Sequence, residues 1–262
     1  MNIDLTSRNA LVCGSTQGIG LASAKELALL GANITLVARN EEKLKECVLS
    51  LDTNKGQSHN YLVADFANAK AVSDMVTLIA SENKVYHIVV NNTGGPAAGP
   101  LLNATTDALS DAFAMHLLNY QLIVQAVVPG MKAANFGRVI NIISTSVKQP
   151  IQGLGVSNTT RWAVAAWAKT LSVELAPFGI TVNNVLPGLT ETARLEAVFK
   201  LRSEETNNSI EETKHLLANA IPTKRFVKAE EVAAAVAFLS SPVAASINGI
   251  NLPVDGGATA SL

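Results

Sequence analysis

Gly14-Ser15-Thr16-Gln17-Gly18-Ile19-Gly20 is the stretch whose residue types and spacing point most directly to a chemistry, the holding of a pyrophosphate. It follows the apolar run Asn9 to Cys13 and leads into a helical pattern from Leu21 to Leu30. Strand, glycine turn and helix together form a dinucleotide-binding context. The backbone must turn tightly, come close to the anion, and present the first amides of a helix to it. A second apolar run, Asn33 to Val37, ends in Ala38-Arg39-Asn40, where such a unit meets the adenosine ribose. An acid there would accept a hydrogen bond from the 2′-hydroxyl of NAD, whereas Arg39 can pair with a 2′-phosphate, which favours NADP(H) over NAD(H). The competing assignment makes Arg39 a solvated residue opening the charged helix Asn40 to Glu46.

The elements that must position these groups alternate along the whole chain. Strands are expected at His59 to Ala64, His87 to Val90, Arg138 to Ile143, Thr181 to Leu186 and Gly249 to Pro253. Helices are expected at Ala69 to Glu82, Asp107 to Ala134, Ser157 to Ala176 and Ala229 to Leu239. That rhythm is α/β, a doubly wound parallel sheet with helices on both faces, a single-domain Rossmann fold over residues 1–262. The 262 residues, 48% of them hydrophobic, are enough for one large core. A net charge of −1 without a basic run argues against a nucleic-acid partner. Cys13 and Cys47 suggest neither a disulfide framework nor a metal site. The N-terminus lacks signal-peptide regions and no apolar run reaches about 18 residues, so a cytoplasmic protein with no membrane partner is expected.

Only residues 189–226 break the rhythm, with a polar stretch around Glu204 to Asn208 and then Pro222. Ligands of open α/β sheets sit beyond the carboxyl ends of the strands. An insertion after Thr181 to Leu186 would therefore lie over the cofactor as a lid, the alternative being a decorative loop.

Over nearly its whole length the chain resembles the short-chain dehydrogenase/reductases, and looks most like the branch containing 3-oxoacyl-acyl-carrier-protein reductases. The matching marks are Gly14-x-x-x-Gly18-Ile19-Gly20, Asp65 after the third strand, Asn91-Asn92-Thr93-Gly94, Asn141-Ile142-Ile143-Ser144, Pro187-Gly188 with Thr192, and Val254-Asp255-Gly256-Gly257. The resemblance implies that Gly14, Ser15, Thr16, Gln17, Gly18, Ile19 and Gly20 hold the cofactor's phosphates. It also implies that Asp65 and Phe66 lie near the adenine, Asn91, Thr93 and Gly94 along the cofactor, and Pro187, Gly188, Thr190 and Thr192 beside the nicotinamide carboxamide. Cys13 stands where the family usually has Thr.

The family's catalysis uses a Ser, a Tyr thirteen residues later, a Lys four beyond that, and an Asn on the preceding long helix. Counting from Ser144 reaches Ser157 and then Arg161, and Trp167-Ala168-Lys169 fits the later helix without a gap. Counting back from Met131 puts His116 in the place of the Asn. Only Ser144 matches. An aliphatic hydroxyl is a far weaker acid than a phenol, whose reference pKa is about 10, so Ser157 cannot simply replace Tyr. Arg161 stays positive and can still bind ribose hydroxyls, as a fork rather than a point charge. His116 is the one titratable substitute, an acid that Ser144 or Ser157 could relay; its other assignment is to fill a helix kink and bond a backbone carbonyl. Tyr120, one turn later on the same face, is expected to pack the helix.

The expected function is NADP(H)-dependent transfer of hydride between nicotinamide and a small carbonyl, alcohol or acyl-thioester substrate, with an atypical proton donor. The alternative is a catalytically impaired dinucleotide-binding protein, a sensor or a scaffold subunit. The small-residue loop Gly94 to Pro100 suggests a roomy entrance. The resemblance further implies a homotetramer or homodimer packed through the helices Asp107 to Ala134 and Ser157 to Ala176, and the apolar spread of Trp162, Val164, Ala165, Ala166 and Trp167 agrees with burial on more than one side.

Overall fold

The computed structural model describes residues 2–82 and 84–261. In chain order the elements are β1 (Asn9–Cys13), α1 (Gly18–Leu29), β2 (Asn33–Ala38), α2 (Glu41–Leu49), β3 (Asn60–Val63), α3 (Ala69–Ser81) and β4 (Ile88–Asn91). There follow α4 (Thr106–Phe113), α5 (Asn119–Ala133), β5 (Gly137–Ile142), α6 (Gly155–Leu175), β6 (Ile180–Pro187), α7 (Ala193–Thr206), α8 (Ile210–Ala220), α9 (Ala229–Ser240) and β7 (Asn251–Val254). The strands form one parallel sheet in the order β3-β2-β1-β4-β5-β6-β7. The chain reverses direction across the sheet between β1 and β4, so the crevice beyond their carboxyl ends is where a ligand belongs.

The apolar runs are strands because both sides of the sheet are covered. In β1, Leu11 and Cys13 pack into a core with residues of α3, α5 and α6, while Ala10 and Val12 pack on the other face with residues of α1 and α9. Side-chain caps fix helix starts: Asn40 accepts from Lys43 N, Asn68 from Ala71 N and Thr105 from Ala108 N.

Four asparagines tie the carboxyl half of the sheet together. Asn91, Asn141, Asn184 and Asn251 stand opposite one another on β4, β5, β6 and β7. Asn91 Nδ2 donates to Asn141 Oδ1 at 2.9 Å, Asn141 Nδ2 to Asn184 Oδ1 at 2.9 Å, and Asn184 Nδ2 to Asn251 Oδ1 at 2.8 Å. Each bond satisfies a polar group that would otherwise be costly to bury, and the chain of bonds holds the strands whose following loops build the site.

Two expectations differ from the structure. The single helix expected at Asp107 to Ala134 is interrupted by a π turn at Ala114–Leu118, in which Asn119 N reaches back to Ala114 O and one extra residue is inserted. The helical run Thr106–Ala133 is long enough to cross a membrane and its most apolar 18-residue window has a mean hydropathy of 1.2, but His116, Asn119 and Gln121 interrupt it, so it is not a continuous apolar run. Its inward residues Tyr120, Ile123, Val124, Val127 and Met131 belong to the protein core. Residues 189–226, expected to be irregular, contain α7 and α8. The latter is opened by a capping box in which Ser209 and Glu212 satisfy each other's backbone amides.

Candidate active site

The glycine turn is forced by its neighbours. Gly14 and Gly18 have φ of +59° and +54°, the left-handed region that favours glycine. A Cβ on Gly14 would lie 2.7 Å from Asn92 Nδ2, and one on Gly20 would run into Gly14 O. The same Asn92 amide donates to Cys13 O at 3.3 Å and Gly14 O at 3.1 Å, pinning the turn from β4. At the start of α1, Gln17 makes no side-chain cap and no acid occupies the first turn, so the leading amides are open to an anion.

These groups wall one half of a long cleft, about 530 Å³ in volume. Its wall is made by Gly14, Thr16, Gln17, Gly18 and Ile19, by Arg39, Asp65 and Phe66, and by Thr93, Gly94 and Thr192, the last three shared with the other half of the cleft. Arg39 is exposed and, among the described residues, has neither an ion pair nor a hydrogen bond. The loop after β3 is held by Asp65 Oδ1, which accepts from Ala67 N at 3.0 Å, and by Asn119 Nδ2, which donates to Phe66 O at 2.8 Å. Three residues assigned to the cofactor line neither half of the cleft. Ser15 is buried with its hydroxyl exchanging bonds with Val37 N and O, Asn91 is turned into the asparagine chain, and Gly20 is packed under Gly14. Ser15 and Gly20 brace the turn from behind, whereas Asn91 ties β4 to β5.

The other half of the cleft, about 520 Å³, is walled by Ser144, Ser157 and Arg161 together with Pro187, Gly188, Thr190 and Thr192. Ser144 follows β5 by two residues, and its Oγ accepts from Ser146 N at 3.0 Å to cap the short turn Thr145–Val147. Ser157 lies in the first turn of α6, and Arg161 one turn later shares its face. Arg161 is buried; Nη1 donates to Ile142 O at 3.0 Å, and Nε is enclosed without a partner. Burial pulls the guanidinium pKa down while the neighbouring Tyr120 hydroxyl holds it up. Conversely, burial pushes the Tyr120 phenol well above its ordinary range, so it has no tendency to ionise.

His116 does not line the cleft. It is fully buried in the π turn, its ring meets Tyr120 edge-on at 6.3 Å, and neither ring nitrogen has a hydrogen-bond partner. Burial, and then the charges of Arg161 and Arg194, push its pKa down to about 2. The expectation of a donor titrating near neutrality rested on an unperturbed imidazole, which this environment does not provide. His116 lies in a π turn of the helix, and the bond to a backbone carbonyl expected in its other assignment is not made among the described residues.

The segment 189–226 is hinged at its ends: Val227 N donates to Leu189 O at 2.9 Å and Glu191 N to Val227 O at 2.8 Å. Its start crosses to the glycine turn, where a Cβ on Gly18 would meet Thr192 Cγ2 at 3.1 Å. Arg194, in the first turn of α7, reaches the Gly94-Gly95-Pro96 loop, with Nη1 donating to Gly95 O at 3.4 Å and Nη2 to Pro96 O at 3.2 Å. Sequence reasoning missed Asn92 and Arg194 as site residues. Asn92 lies in the quoted Asn-Asn-Thr-Gly motif, whereas nothing local distinguishes Arg194 from a surface cation.

Residues 14–259 match the family described as Enoyl-(Acyl carrier protein) reductase. A Streptomyces violaceoruber protein, whose name assigns it as ketoacyl reductase 1 of granaticin polyketide synthase, is 36% identical over 95% of this chain and 92% of its own. The NADPH-dependent reductase BacG of Bacillus subtilis is 29% identical over 98% of this chain and 100% of its own. L-sorbose reductase from Gluconobacter frateurii, solved with NADPH and L-sorbose, superposes with a TM-score of 0.92 at 30% identity, covering 100% of both chains.

Proposed function

Because this chain belongs to the short-chain dehydrogenase/reductases and is an oxidoreductase of CH–OH/C=O pairs, we propose that it reduces a small carbonyl substrate with NADPH in preference to NADH, through Ser144, Ser157 and Arg161 and without a phenolic acid. The observation that carries this reading is the placement of those three side chains on one wall of the cleft that continues from the glycine turn.

The residues fit a dinucleotide. The cradle at Gly14, Gly18 and Gly20 leaves no room for a Cβ, the start of α1 is uncapped, and Arg39 is unpaired beside Asp65 at the adenosine end. Gly14 to Ile19 would hold the pyrophosphate, Arg39 the 2′-phosphate, and Thr192 with Pro187 and Gly188 the nicotinamide end. When bound, the dinucleotide supplies the hydride to the carbonyl carbon, or takes it from the alcohol.

Ser144 and Ser157 orient the substrate oxygen by donating hydrogen bonds to it. Arg161, fixed by Ile142 O and enclosed by protein, places a permanent positive charge where negative charge develops on that oxygen. The proton arrives from water through the Ser157 hydroxyl, which relays it and ends with its own proton restored. His116 supports Arg161 from behind through Tyr120 and gives up no proton. Residues 189–226 act as the lid, with Thr192 and Arg194 as its inner edge.

A homo-oligomer is part of the same reading, supported by Leu118, Leu122, Trp162 and Val173, which leave apolar surface exposed on and beside α5 and α6. Loss of NADPH absorbance over a panel of ketones, aldehydes and acyl thioesters tests the activity. Turnover that falls in Ser157→Ala and collapses in Arg161→Leu, with NADPH still bound, is the expected result.

A further inference from the structure

We infer that the carbonyl substrate carries a carboxylate, which Arg194 holds while Arg161 holds the reacting oxygen; this rests on the reductase reading above. The substrate half of the cleft has two guanidinium groups, Arg161 and, on the border shared with the cofactor half, Arg194, and among the described residues no Asp or Glu on its wall. Arg161 is enclosed on the α6 side with Nε unpartnered. Arg194 faces it from the first turn of α7, and its only described bonds are the long ones to the neutral carbonyls of Gly95 and Pro96. A carboxylate accepts from a guanidinium fork at shorter range and with charge assistance, so an anionic substrate would displace those carbonyls. One cation is accounted for by the oxygen that gains charge during reduction. The second has no counterpart in a neutral ketone.

The remaining wall indicates the rest of the ligand. Ile143, Ile151, Leu154, Leu195, Val198 and Leu217 make it apolar, which suits a hydrocarbon or aryl body. An oxo acid with an apolar tail meets all three demands: an oxygen for Ser144, Ser157 and Arg161, a carboxylate for Arg194, and a tail for the lid helices. Arg194 is thus a specificity residue set on the lid, and seating the carboxylate would exchange the Gly95 and Pro96 contacts for the substrate itself.

Phenylpyruvate and benzoylacetate, each against its methyl ester, probe this in the NADPH assay. Calorimetric titration of phenyllactate into the NADPH complex, in which neither partner can pass hydride to the other, reads carboxylate binding without turnover. The wild type is expected to favour each acid over its ester by about tenfold or more in kcat/KM, chiefly through KM, the size of a charge-assisted hydrogen bond. Arg194→Leu is expected to bring that ratio near unity and abolish phenyllactate binding, and Arg194→Lys to recover part of both. Equal use of acids and esters, no phenyllactate binding by the wild type, or an Arg194→Leu defect confined to NADPH affinity would overturn the inference. Phenyllactate binding that depends on Arg194, in a protein that reduces nothing, would support the carboxylate site and sink the reductase reading instead.

Discussion

Arg161 Nη1 donates to the main-chain oxygen of Ile142 at 3.0 Å, tying the second turn of α6 to the end of β5 beside Ser144. The bond aims a buried cation at the junction where the serine wall meets the cofactor cleft. Ser157, one turn earlier on the same face of α6, shares the cleft wall with this anchored guanidinium. A guanidinium needs several acceptors in a fixed plane, and the strand end provides one of them. Arg161→Lys is therefore expected to lower kcat by about tenfold or more, because a flexible ammonium loses this planar anchoring. Steady-state kinetics with saturating NADPH check it; an unchanged kcat would show that the anchoring has no part in turnover.

The Asn92 amide holds the glycine turn by bonds to Cys13 O and Gly14 O. In Asn92→Ala both acceptors lose their side-chain donor and the turn loosens, which costs about 1–3 kcal/mol of stability and weakens NADPH binding. Fluorescence titration with NADPH and urea denaturation measure the two effects. Unchanged cofactor affinity would mean that the turn holds its shape without Asn92.

Arg39 is exposed and has no partner among the described residues at the adenosine end of the cleft. Arg39→Ala is expected to weaken NADPH by about tenfold or more while leaving NADH nearly unaffected, since only the former has a 2′-phosphate to lose. Dissociation constants for both cofactors decide this. A constant ratio would return Arg39 to the role of a solvated residue opening α2.

His116 makes the fold sensitive to acid. Its pKa is about 2 in the folded chain against 6.5 unperturbed, with burial the main cause. Between those values the unfolded chain binds the extra proton, so stability falls as pH drops below 6.5 and the contribution is fully present above it. The slope approaches about 1.4 kcal/mol per pH unit where the one-proton difference is complete. Urea midpoints for wild type and His116→Gln over the mildly acidic range should diverge, the variant declining less steeply. Parallel lines would mean that the imidazole is protonated in the native state.

Much of the fold was legible because its central strands are buried. Asn9–Cys13 reads as an apolar run, and glycine or proline marks most of the joins. The π turn at His116 was not legible: one inserted residue barely disturbs helical periodicity, and no glycine or proline stands within Ala114–Leu118 to mark it. Helices α7 and α8 were hidden by composition, since a solvated helix such as Ala193–Thr206 has little apolar patterning to read, although Ser209 and Glu212 did carry a start signal. In the site, the wall residues Ser144, Ser157, Arg161 and Arg39 could be placed by spacing. What spacing could not convey was depth. Ser15, Asn91 and His116 stand in the right segments but face inward, and only three-dimensional packing separates a residue on the cleft from one directly behind it.

The most direct test of the account is NADPH consumption by the wild-type chain beside Ser157→Tyr/Arg161→Lys and Arg161→Leu, over one panel of carbonyl substrates. Turnover by the wild type that is lost in Arg161→Leu is the predicted result, with the serine and guanidinium wall serving as the working site. A silent wild type, with turnover appearing only in the Ser157→Tyr/Arg161→Lys chain, would contradict it and identify the natural protein as a dinucleotide-binding relative that has given up carbonyl reduction.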